Sequence, residues 1–258
     1  MDVPERMYDA PVTEAERNRL ATFSYPNQVS CKVLDTLEFS SCIDAGAGTG
    51  TSLAEYIIGR GASYTAFDFK PEIVAQMNDG LRAKNLSARA VEANILDIPA
   101  TVGHADVVHE RFVLMHLSQA DRSKAFANLL DIADRNLLLL EYNWRTMRSS
   151  HHSTTLKLFE EGAYAFMELL HIDPYAGEAM RGLVHDTLPH GQYEFGRDLR
   201  TEGNYTSELI ALCEVQSVVA RRMGRLDLAE KSANLKAMLS DSPIEFVPPE
   251  VVIAVIRA

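Results

Sequence analysis

The residues with the most chemical potential form one short run: Asp44, Ala45, Gly46, Ala47, Gly48, Thr49 and Gly50. Residues 42–45 read as a short strand. Residues 51–60 read as a helix, with Leu53, Ile57 and Ile58 on one side. The glycines therefore sit at a strand-to-helix turn, where they let the chain bend sharply and approach a ligand. Exposed amides at a helix start favour a negatively charged group. A dinucleotide fingerprint wants glycine at its first, third and sixth positions; these are Gly46, Gly48 and Thr51, so the last fails. A Walker loop ends in Gly-Lys-Ser/Thr, and no lysine is present. What remains is an acid followed by alternate glycines.

Further landmarks follow at strand ends. Asp68 closes a strand at 64–67, just before a helix at 71–84 that Pro71 opens. A strand at 88–92 leads into Asn94, Ile95 and Asp97. A strand at 105–109 leads into His109, Glu110, Arg111 and Phe112, with Leu114 and His116-Leu117 beyond. Taken together, residues 41–142 resemble the class I S-adenosylmethionine-dependent methyltransferases of small-molecule type. The resemblance implies an α/β fold, a Rossmann-like, seven-stranded, mostly parallel sheet with a helical cap. It implies S-adenosylmethionine as cofactor, with Gly46, Ala47, Gly48 and Gly50 facing its methionine part. Asp44 would help hold the ammonium, directly or through water. Asp68, with Phe69, would meet the ribose; its other role is to cap the following helix. Asn94 with Ile95 would meet the adenine, Asp97 being the rival. Glu110 and Arg111 complete the cofactor set. One departure is visible: Ala133-Asp134-Arg135-Asn136 replaces the Pro-Gly-Gly turn common before the fifth strand, in what is expected to be a loop remote from the chemistry.

Methyl transfer from a sulfonium is an in-line displacement, so positioning the acceptor and excluding water carry most of the work. A general base helps only where the acceptor holds a proton. His116 and His109 are the candidate catalytic groups, with positioning or packing as their other role. Tyr142 and Trp144, just after a fifth strand at 136–142, and Phe166 and His171 in the cap are the candidate acceptor contacts. The apolar stripe around them serves packing, an apolar acceptor or a homodimer interface. Adjacent His151 and His152 point apart on a helix, and no cluster calls for a metal.

The elements that position these groups divide the chain in four. Residues 1–40 form a helical segment or lid, with a capping box at Thr13 and Glu16, a break at Pro26-Asn27 and a second helix at 28–37. Residues 41–144 form the cofactor-binding core. Residues 145–241 form a helical cap, with stripes at 156–170 and 208–238 and a short strand near 192–195. Residues 242–258 add a last strand at 251–256.

The chain has 258 residues, 47% of them apolar, enough for one α/β domain with a full core. Its net charge of −11 argues against a nucleic-acid partner. His109-Glu110-Arg111-Phe112 also lacks the Asp/Asn-Pro-Pro-aromatic run of base-amine methyltransferases. Cys31, Cys42 and Cys213 make neither a disulfide framework nor a zinc site. The N-terminus has no apolar signal region, and the run at 137–140 is too short to span a membrane. A cytoplasmic enzyme with a small-molecule acceptor is expected, acting on an O, N or C atom in a biosynthetic pathway. The alternatives are a methyltransferase of RNA or protein, and a cofactor-binding protein of this fold without transfer activity.

Overall fold

A computed structural model describes residues 25–147, 154–198, 203–242 and 244–258. The arm and capping box at the N-terminus, His151 and His152 lie outside the described residues. The chain forms two compact units. One is built on a sheet and takes the described residues of 25–141, Ala176–Asp198 and Val252–Ala258; the other is mainly helical and takes the described residues of Tyr142–Tyr175 and of 203–251.

The sheet unit starts from strands too apolar to face water. β1 (Ser41–Ala45) buries Cys42, Ile43 and Ala45, and β5 (Ala133–Asn143) buries Leu137 through Leu140 completely. Such unbroken runs suit strands covered on both faces. β2 (Ser63–Asp68), β3 (Arg89–Glu92) and β4 (Ala105–Arg111) join them, and the sheet closes with β6 (Tyr193–Asp198) and β9 (Glu250–Arg257). The order is β3-β2-β1-β4-β5-β9-β6, and the pairings from β3 through β5 are parallel. The seven-stranded, mostly parallel sheet implied by the resemblance is therefore present. Sequence order reverses between β1 and β4, the switch point where open α/β sheets bind ligands beyond their strand ends.

Helices α1 (Tyr25–Leu34), α2 (Ser52–Gly59), α3 (Pro71–Ala83), α4 (Gln119–Asp131) and α6 (Ala176–Thr187) belong to this unit. Ser118 caps α4 by accepting from the Asp121 amide at 3.2 Å. The break expected at Pro26-Asn27 concerns a helix outside the described residues. Two expectations need correction. The second helix, expected at 28–37, is α1, which includes Tyr25 to Asn27 and ends at Leu34. Ala133 to Asn136 is strand, not loop. β5 begins at Ala133, and its pairing with β4 slips by one residue between Ala105 and Val107, so a bulge absorbs the extra residue.

In the helical unit, α5 (Thr154–Leu169), α7 (Thr206–Arg222) and α8 (Leu226–Asp241) pack their apolar stripes together. Phe159, Ala163, Met167, Cys213, Leu235 and Leu239 form the main core. Gly224, at φ +73, makes the turn from α7 to α8 and interrupts the stripe expected to run unbroken through 208–238. Strands β7 (Gly203–Asn204) and β8 (Glu245–Phe246) form a separate antiparallel pair.

Candidate functional site

The ends of β1, β2 and β4 converge on the glycine turn. Gly46 and Gly48 both have left-handed backbones, at φ +65 and +62. Such angles disfavour any residue with a Cβ. Gly46 has a second reason: a Cβ there would lie 2.3 Å from Cγ2 of Val113. The Gly46 and Ala47 amides donate to the Phe67 carbonyl at 2.8 and 3.1 Å, and the Gly48 amide donates to Asp68 Oδ2 at 3.2 Å. The turn is thereby tied to the end of β2. A Cβ built at Gly48 or Gly50 meets no atom within 4 Å, so the backbone is open to a close ligand. Thr51, at the start of α2, makes no side-chain cap, which leaves the first amides of that helix to other acceptors.

Asp68 also accepts from the Lys70 amide at 3.1 Å. Burial raises its pKa, against the pull of the Lys70 and Gly48 amides and the Lys70 charge. Phe69 is half-buried beside it, 5.6 Å from the Lys70 ammonium. After β3, Asn94 builds a tight turn: Oδ1 accepts from the Leu96 amide at 2.8 Å and its carbonyl accepts from the Asp97 amide at 2.8 Å. Ile95 is buried and Asp97 is exposed.

Asp44 is the centre of a buried network. Oδ2 accepts from the Tyr64 hydroxyl at 2.7 Å, and Oδ1 is 2.7 Å from His109 Nδ1. Burial alone would raise its pKa, but the His109 charge and hydrogen bond, with the Tyr64 hydroxyl, outweigh it and hold the carboxyl below its usual range. An ionised Asp44 requires the proton on His109 Nδ1. His109 Nε2 then faces Ser30 Oγ of α1 at 2.9 Å, and Arg111 donates to the same oxygen at 3.4 Å. Arg111 donates to Ser30 and His109 donates to Asp44, and Ser30 Oγ and His109 Nε2 share the bond between them. Asp44 and His109 thus face partners inside the protein.

At the end of β4, Phe112 has φ +61, an unusual angle for an aromatic residue and one enriched at functional sites. Glu110 is fully buried and its Oε1 accepts from the Val113 and Leu114 amides at 2.7 and 3.2 Å. Burial pushes its pKa up to about 7. His116 ends the 3-10 turn Leu114–His116; burial, then the Lys70 and Arg122 charges, push its pKa down to about 3.

The structure thus brings Asp44, Gly46, Ala47, Gly48, Asp68, His109, Glu110 and Arg111 into one bonded neighbourhood. Tyr142, Trp144, Phe166 and His171 lie in the helical unit. There Tyr142 and Trp144 pack edge to face at 6.0 Å. Phe166 packs with Leu170, Val215 and Val219. His171 is exposed at φ +54, where its amide and that of Ile172 close the end of α5. Sequence reasoning missed Ser30, Tyr64, Phe112 and Glu141. A signal existed for two of them: Ser30 follows Val29 on the apolar face of α1, and Glu141 interrupts an otherwise apolar strand.

Residues 42–135 match the family model described as a methyltransferase domain. No curated protein matches the chain. Among solved structures, the YcgJ protein of Bacillus subtilis superposes with a TM-score of 0.59 at 13% identity, over 90% of this chain and 97% of that one. The magnesium protoporphyrin IX methyltransferase of Synechocystis PCC 6803, solved with bound S-adenosylhomocysteine, gives 0.55 at 14%, over 97% and 90%. The [4+2]-cyclase SpnF gives 0.53 at 13%, over 89% and 82%. Residues 42–135 are thus similar to a methyltransferase domain, and the solved structures share the fold. The open backbone at Gly48 and Gly50 beside the Asp68 carboxylate fits the S-adenosylmethionine that the resemblance implies.

Proposed function

We propose that the protein transfers a methyl group from S-adenosylmethionine to an O, N or C atom of a small molecule, in a biosynthetic pathway. The observation that carries this reading is the Gly48 turn: its backbone is open on the ligand side and is tied to Asp68 on the other. The cofactor, when bound, supplies a methyl group already activated on a sulfonium. The protein's part is to hold and orient. Gly46, Ala47, Gly48 and Gly50 present backbone to the methionine part. Asp68 uses its remaining lone pairs for ribose hydroxyls, with Phe69 alongside. Asn94 and Ile95 frame the adenine, and Asp97 is the alternative acceptor for its amine. Asp44 acts by its charge, since both oxygens already accept hydrogen bonds. Glu110 and Arg111 support the turn.

His116 fits a positioning role better than a basic one. An imidazole whose conjugate acid has a pKa of about 3 accepts a proton weakly at neutral pH. His109, fully buried between Asp44 and Ser30, orients Asp44. The acceptor contacts proposed are Tyr142 and Trp144. The buried Trp144 indole N–H meets no acceptor among the described residues and is a donor in search of one. Phe166 and His171 are accounted for by packing and by helix termination.

A small-molecule acceptor is supported by the net charge of −11 and by the β4 end, whose His109 and Glu110 are committed to internal bonds. It is also supported by the likeness to a porphyrin methyltransferase. The likeness to a cyclase favours one second reading: a cofactor-binding protein whose fold steers another reaction. Incubation with methyl-labelled cofactor and separate metabolite, RNA and protein fractions tests these readings. Label in the metabolites is the expected result. Label in RNA or protein overturns the small-molecule acceptor, and cofactor binding with no label anywhere supports the second reading.

A further inference from the structure

Glu110 and Glu141 stand at the C-terminal ends of the adjacent strands β4 and β5, and both are fully buried. Glu110 Oε1 accepts from the Val113 and Leu114 amides, and Glu141 Oε1 accepts from the Met115 amide at 3.2 Å. Two carboxyl oxygens therefore hold three consecutive amides, those that open the 3-10 turn. The second oxygen of each acid, Oε2, is buried and meets no donor among the described residues. Two buried carboxylates side by side, both ionised, would repel each other in a medium that screens poorly. One proton between them turns the repulsion into a hydrogen bond and satisfies both orphan oxygens.

Positive charge near the pair comes from Arg111 of β4 and from Arg122 of α4, whose Nε donates to the Leu114 carbonyl at 2.8 Å. Lys70 and Arg122 both lie near His116. α6 packs on the turn, and its ionisable residues are Glu178, Arg181, His185 and Asp186. The turn matters because of what it touches. Val113 sits where any Cβ on Gly46 would go, so the same segment sets the space for the glycine turn and ends in His116.

We propose that Glu110 and Glu141 act as one positioning unit, in which a proton held between the two Oε2 atoms keeps both Oε1 atoms on the amides of residues 113–115 and so fixes the glycine turn through Val113. The inference rests on reading residues 46–50 as the cofactor turn. Burial, and for Glu141 the neighbouring Glu110, raise both acids, so at least one proton stays on the pair at neutral pH. Rising pH removes it. A proton required for binding makes affinity fall by up to about tenfold per pH unit once it is lost.

The test compares the wild-type protein with Glu141→Gln and Glu141→Ala from about pH 4.5 to about pH 9. S-adenosylhomocysteine affinity is read by calorimetry, and melting temperature is read without ligand. In the wild-type protein, melting temperature should fall as pH rises from about 4.5 through the raised titration of the two acids, and affinity should fall once the shared proton is lost. In Glu141→Gln an amide N–H permanently replaces the shared proton, so both profiles should flatten while the turn is retained. Glu141→Ala removes the acceptor for Met115 and should bind more weakly at every pH. A Glu141→Gln protein that keeps the wild-type slope in both readouts overturns the proposal. Should that variant not fold, Glu110→Gln poses the same question from the other acid. Absence of binding by any variant or the wild type would count against the cofactor turn instead, and the ligand-free melting profiles would still decide about the pair.

Discussion

The two left-handed glycines do different work, and alanine separates them. Gly46→Ala drives a methyl into Val113 and should cost about 1–3 kcal/mol of stability, read by denaturant unfolding. Gly48→Ala meets open space within the protein, so its stability cost should be the smaller, of order 1–2 kcal/mol for the left-handed backbone. Its larger effect should be on cofactor affinity. The reverse pattern would mean that Gly48 lines no ligand. His116 makes a prediction about acid. Its folded pKa lies below its unfolded value, so it adds stability that is present above about pH 6.5 and is lost as pH falls toward 3. Asp44, also depressed, adds to the loss at the lower end of that range. Below about pH 6.5 the slope of melting temperature against pH should therefore differ between the wild type and His116→Gln, which lacks this acid-side loss, while the raised acids Glu110 and Glu141 act on both proteins in the opposite sense. An unchanged slope would remove His116 from the account. Residue types revealed the glycines because a left-handed angle leaves its mark on composition. They could not reveal what Asp44 touches, because Tyr64 and His109 reach it from 20 and 65 positions away.

Strands and helices were readable where local chemistry and burial agreed. The apolar run in β5 and Pro71 at the start of α3 fall where expected. The misses have physical causes. The second helix begins before residue 28 and ends at Leu34, three residues short of the expected 37, with Val29, Ser30 and Leu34 on its buried face. Polar Asp134 and Arg135 look like loop, yet β5 pairs through them because the bulge opposite Ala105 gives room. β4 extends to Arg111, two residues past its apolar stretch, because Glu110 is paid for by the backbone amides it accepts. The Ser30 hydroxyl joins α1 to the sheet. Ser30→Ala leaves a buried His109 nitrogen unsatisfied and should cost about 1–3 kcal/mol in an unfolding titration, while Ser30→Thr should recover part of it. No loss in Ser30→Ala would show that the relay from Arg111 to Asp44 is not structural.

At the scale of the whole molecule, the chain leaves the sheet unit after Glu141, returns for residues 176–198, leaves again and comes back at Val252. That weaving was illegible because the stripes of α5 and α6 look alike in sequence, although α6 belongs to the sheet unit. Among the described residues, no helix is long and apolar enough to cross a membrane. The fold extends over about nine-tenths of proteins with which the chain shares 13–14% identity. Burial pattern and turn geometry, rather than residue identity, are therefore what persists. The central claim is that this fold holds S-adenosylmethionine at residues 46–50 with Asp68. Its most direct test is calorimetric titration with S-adenosylhomocysteine, using NAD as control and Asp68→Ala alongside. The account predicts roughly micromolar binding of the first and none of NAD, with Asp68→Ala weaker by about 1–3 kcal/mol. Equal affinity in the wild type and Asp68→Ala, or binding of NAD in preference, would contradict it.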